Sequence, residues 1–114
     1  MKKLFIAAFI FVSTFTTNTF AEVKMGIILG FTGPIESLTP AMAASAELAF
    51  KEASDSGSLL GGEKISVIRA DSTCVDSAAA TAAAEGVISQ GVAAIMGADC
   101  SGVTGAIASN VAVP

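Results

Sequence analysis

The sequence predicts an α/β domain in which a three-stranded parallel sheet carries helices on both faces. Two observations point there. Short, nearly unbroken apolar runs alternate three times with longer stretches of helical period, and that alternation builds a covered parallel sheet. The first run, "VKMGIILGF", is apolar throughout rather than at every second position, as a strand buried on both faces requires.

Each element follows from its residues. The first strand is expected over residues 23–31, and "GFTGPIESLT" after it is a loop punctuated by Gly30, Gly33 and Pro34. Thr39 then acts as an N-cap with Pro40 at the first helical position, and the helix runs to about Ala53. Its buried face is expected to hold Met42, Ala46, Ala49, Phe50 and Ala53, which share one side at 3.6 residues per turn. "SDSGSLLGG" breaks that pattern, and "KISVIRA" is the second strand. Asp76 caps a second helix whose inner face is Ala80, Ala83, Ala84, Val87 and Ile88, ended by Gly91. "VAAIMG" is the third strand. A third helix begins at Ser101, with Val103, Ile107 and Val111 recurring every four residues. The far edge of the third strand has no partner in this pattern, so the chain reads as the first part of a larger domain.

The first 21 residues stand apart from this fold. Lys2 and Lys3 precede "LFIAAFIFV", and "STFTTNTFA" ends with small Thr19 and Ala21 at the right spacing for cleavage. This is the pattern of a secretory signal peptide over residues 1–21. A membrane anchor needs about 20 apolar residues, whereas this run stops at Ser13. The expected product is therefore periplasmic, without membrane insertion once cleaved, and residues 22–114 form one small domain.

Charge and composition exclude several functions. Taking Lys2 and Lys3 from six basic residues leaves four against ten acidic ones, a net charge of −6. Nucleic acid and anionic membrane both select basic surfaces, so neither is an expected partner. The chain has no histidine, which removes serine–histidine and cysteine–histidine nucleophile pairs. Two cysteines alone make a poor metal cage, so no metal site, cofactor or catalytic residue is expected. In an oxidising compartment Cys74 and Cys100 are read as one disulfide. "GFTGP" lacks the spacing of a dinucleotide fingerprint, and no P-loop lysine follows.

The chemistry is concentrated in "MGADCSGVTGA", residues 96–106. In an open parallel sheet, ligands bind beyond the carboxyl ends of the strands where the strand order reverses. If the order is 2-1-3, that reversal lies between the first and third strands, bordered by loops 30–39 and 97–101. The Ser101 hydroxyl, with the N–H groups of Gly102 and Val103, then makes a seat for an anion at a helix start. The competing role for Ser101 is an ordinary N-cap serving its own helix. Thr104 is a weaker candidate, since its hydroxyl can bond back within the helix. Asp99 reads as a loop acid and Asp71 as a strand-end turn former.

With these residues in view, the chain resembles the N-terminal part of periplasmic binding proteins of the branched-chain amino-acid (Leu/Ile/Val) ABC transporter family. The matching pieces are "VKMGIILGFTGP", "MAASAELAFKEA" with "GSLLGG", "ISVIRADSTC", "AAATAAAEGVIS", and "VAAIMGADCS" with "VTGAIA". The resemblance implies a type I lobe with sheet order 2-1-3, here an incomplete first lobe of three βα units. It implies two lobes hinged around an amino acid, delivery to the membrane permease of an ABC transporter, and no catalysis. It also implies a Cys74–Cys100 bridge, contact of Ser101 with the ligand α-carboxylate, and a side-chain contact at Leu38. The alternatives are a ligand-sensing domain of a receptor or regulator on the same fold, a secreted hydrolase or reductase using Cys100, or a non-functional fragment.

Overall fold

The computed structural model describes residues 22–113; the export signal read in residues 1–21 lies outside them. Three strands, β1 (Glu22–Leu29), β2 (Lys64–Asp71) and β3 (Ala94–Gly97), alternate with three helices, α1 (Thr39–Asp55), α2 (Ser77–Ser89) and α3 (Ser101–Ile107). The sheet order is β2-β1-β3. Both pairings are parallel, with Met25 opposite Val67 on one side and Ala94 on the other. The α/β class, the order 2-1-3 and the helices on both faces are as the sequence predicts.

Side chains alternate across the central strand and divide the core into two halves. Ile27 and Leu29 point to one face, where α1 covers them with Ala43, Ala46 and Phe50. Ile28 points to the other face, against Ala84 and Val87 of α2 and Ile107 of α3. Ile27 and Ile28 are completely buried, and burying each side chain stabilises the fold by about 1.5–3 kcal/mol. On the α2 face Gly26 sets the spacing. A Cβ there would lie 2.6 Å from Val87 Cγ1, so the helix can approach this closely only over a glycine.

Several elements depart from expectation. β3 is shorter, starting at Ala94 rather than Val92, and the Ala93 N–H just before it already bonds the Lys24 carbonyl. Thr39 is the first residue of α1 and not its cap; Leu38 holds the cap position without a side-chain bond. The Thr39 hydroxyl instead donates to the Gly30 carbonyl at 3.0 Å, completely buried. With that bond Thr39 lies on the buried side with Ala43 and Ser54, Ala46 and Phe50 stay against the core as expected, and the expected core residues Met42 and Ala49 face outward. Ser54 is tolerated inside because its hydroxyl accepts the Ile65 N–H at 3.2 Å.

The second helix follows its sequence closely. Asp76 accepts the N–H groups of Ala78 and Ala79, satisfying two donors that the first turn leaves unpaired. Gly91 follows the Gln90 C-cap at φ +78°, the left-handed conformation that ends helices. Ala80, Ala84 and Val87 are buried, whereas Ile88, expected on the inner face, is exposed. α3 continues as a wider π turn over Ala108–Ala112, keeping Val111 on the core side.

Candidate functional site

The strand order reverses at β1, so the carboxyl ends of β1 and β3 flank the crevice where an open α/β sheet binds its ligand. Three loops meet at this edge, and side-chain bonds knit them together. Asp71, the last residue of β2, accepts the Thr32 hydroxyl at 2.5 Å, the Thr32 N–H at 3.3 Å and the Thr73 N–H at 2.8 Å. Burial pushes the Asp71 carboxyl up, but the bonds from Thr32 and Thr73 outweigh it and hold the group below its ordinary value of 3.8. Asp71 is thus the turn former read from the sequence, and it also ties β2 to the loop after β1.

The turn it forms is tight. Thr73 and Cys74 both take positive φ, +57° and +70°, which is costly for residues with a Cβ. Gly33 approaches from the other loop at φ +96°, where a Cβ would meet the Thr73 carbonyl oxygen at 2.5 Å. Cys74 is bonded to Cys100, with Cα atoms 5.2 Å apart, which pins the turn after β2 to the residue before α3. The disulfide joins the two cysteines expected to pair.

The third loop is held from below by Asp99. Its carboxylate accepts the Gly30 N–H at 2.8 Å, and the Ser72 hydroxyl lies 3.4 Å from its other oxygen. Gly97 permits the chain to leave β3, since a Cβ there would overlap the Ile28 carbonyl and its φ is +135°. Thr104 closes the segment from the helix side. Its hydroxyl is 2.8 Å from the Ala98 carbonyl and 2.9 Å from that of Cys100. Its proton is therefore engaged within its own loop.

Ser101 is different. Cys100 occupies the cap position of α3, so Ser101 is its first helical residue. The first bond of the helix runs from the Thr104 N–H to the Cys100 carbonyl, leaving the N–H groups of Ser101, Gly102 and Val103 without an intrahelical acceptor. The Ser101 side chain is exposed, and Gly102 beside it is exposed too. Among the described residues the Ser101 hydroxyl has no hydrogen-bond partner. Leu38, 60% exposed, lies across the edge at the end of the loop after β1.

The signals for Asp99, Ser72 and Thr39 were absent from the sequence in this role. Each is a common loop or cap residue there, and only the convergence of three strand ends gives it a purpose. Among the described residues no group of three or more His, Cys, Asp or Glu side chains could hold a metal ion, and no helix is long and apolar enough to cross a membrane.

An open parallel sheet whose strand ends are laced together at the reversal of strand order, with a bare helix start beside them, is the arrangement at which α/β domains take small ligands. The sequence profile of the periplasmic binding protein family matches residues 22–113, the whole of the described chain. The chain belongs to that family, whose members bind solutes. No curated protein matches the chain significantly.

Proposed function

We propose that this protein is the solute-binding component of an ABC importer and binds an amino acid, branched-chain or similar, in the periplasm. In this reading residues 1–21 export the chain, and residues 22–114 supply three βα units of the amino-terminal lobe. The observation that carries the reading is the unengaged Ser101 hydroxyl beside exposed Gly102, whose N–H has no acceptor within the helix, at the strand-order reversal of a chain in this family. A carboxylate accepts several such donors at once, and the partial positive charge of a helix start adds to them without a cationic side chain. Ser101 and Gly102 carry the α-carboxylate in this reading. Thr104 holds the turn that presents them, and Leu38 borders the ligand side chain. The membrane permease is the partner that receives the ligand.

L-Leucine titrated into the whole protein tests this, followed by calorimetry and by the amide resonances of Gly102 and Val103. Saturable shifts at those two amides are expected. Ser101→Ala should weaken binding about tenfold, the effect of one lost hydrogen bond to a charged group. Equal affinity in the variant would reject the assignment.

A further inference from the structure

We propose that Asp99 is a positioning residue for this site: its carboxylate sets where the start of α3 stands over the end of β1. The inference rests on the amino-acid reading above for its functional meaning, but its geometry stands independently. Asp99 reaches back from the β3 loop to the buried Gly30 N–H, 69 positions away, at 2.8 Å. Its second oxygen faces the hydroxyl of Ser72, which is completely buried at the end of β2. One side chain thereby touches the carboxyl ends of both other strands.

The neighbours of Asp99 are fastened in other directions. Cys100 is bonded sideways to Cys74, and the Thr104 hydroxyl grips the carbonyls of Ala98 and Cys100 from the helix. Neither of these is a hydrogen bond to the β1 end, although Cys74 packs beside Gly30. The disulfide fixes α3 against the loop after β2, and Thr104 fixes the loop against α3 itself. Beyond the pairing of Gly97 with Ile28, Asp99 is the side chain that hydrogen-bonds the loop carrying Ser101 to the backbone just past the β1 end. The chemistry requires an acceptor for the Gly30 N–H, and the second Asp99 oxygen adds a longer contact with the Ser72 hydroxyl. An apolar residue of similar size would leave the buried Gly30 N–H without a partner, and that group would pull away towards water.

The test is amide hydrogen exchange and amide resonance position in the whole protein, with and without L-leucine. In the unsubstituted chain the Gly30 amide should exchange as slowly as that of Ile28. In Asp99→Ala it should exchange at least tenfold faster, and the Gly102 and Val103 resonances should move, while Ile27 and Ile28 keep their protection. Asp99→Asn retains an oxygen that can accept from Gly30, so it should restore Gly30 protection to within about threefold and return the Gly102 and Val103 resonances. L-Leucine affinity should fall about fivefold in Asp99→Ala and recover in Asp99→Asn.

A Gly30 amide that exchanges rapidly in the unsubstituted chain overturns the proposal, and this measurement needs no folded variant. So does an Asp99→Ala protein whose Gly30, Gly102 and Val103 amides are unchanged. If L-leucine leaves Gly102 and Val103 unmoved in the unsubstituted chain, the amino-acid reading fails instead, and the ligand-free exchange data decide the role of Asp99.

Discussion

The Thr32 hydroxyl donates to the Asp71 carboxylate at 2.5 Å, joining the loop after the central strand to the end of its neighbour. The pair makes stability depend on pH. Asp71 has a folded pKa below its ordinary 3.8, so its contribution is fully present above the unfolded value and is lost as pH falls through the folded one. Asp71→Asn should therefore lower stability at pH 7 and show a shallower decline below about pH 4. Urea midpoints measured from pH 2 to pH 7 check this. Parallel acid limbs in the two proteins would contradict it.

The Cys74–Cys100 bridge closes a loop with a sequence separation of 26. Constraining a loop of that length in the unfolded chain stabilises the fold by about 3.5 kcal/mol. Replacing both cysteines by serine, or adding reductant, should lower the unfolding free energy by about that amount. Urea unfolding with and without dithiothreitol reads the difference directly.

Thr39 offers a sharper local test. Its buried hydroxyl bonds the Gly30 carbonyl at 3.0 Å, and valine would fill the same space without the donor. Thr39→Val should cost about 1–2 kcal/mol through the unpaired carbonyl, whereas Thr39→Ser keeps the bond and should cost less. Thermal melts of the two variants separate hydrogen bonding from helix propensity.

Two glycines should respond in opposite directions to alanine. Gly97→Ala places a Cβ onto the Ile28 carbonyl, so the backbone at the end of β3 must move, at a cost of about 3 kcal/mol or more. Gly105 lies within α3 and has open space where a Cβ would stand. Gly105→Ala should therefore stabilise the protein by about 0.5–1 kcal/mol. Chemical denaturation of both variants decides the pair.

Much of the architecture was legible because it depends on local periodicity. The apolar run around Ile27 and Ile28, the Asp76 cap and the closing Gly91 each act within a few residues, and each stands where its pattern implies. The face of α1 was misread for a physical reason. Periodicity ranks Met42 and Ala49 as core because they are apolar, but polar Thr39 and Ser54 take buried places with Ala43, Thr39 by giving its hydroxyl to the Gly30 carbonyl and Ser54 by accepting the Ile65 N–H. The Ser101 candidate came from spacing and resemblance, while the commitment of the Thr104 hydroxyl to its own loop needed coordinates.

By itself the sequence determined the order of strands and helices, the α/β class, the pair of cysteines and the stretch that carries the polar chemistry. Local propensity and hydrophobic period suffice for those, since each is set by neighbours along the chain. Only the tertiary structure decided that Asp99 meets Gly30 and Ser72, that Asp71 meets Thr32, and that the Ser101 hydroxyl has no partner among the described residues. Those pairings join groups from 27 to 69 positions apart. Nothing in a local pattern encodes which buried donor will find which acceptor until the parallel sheet has brought the three strand ends to one edge.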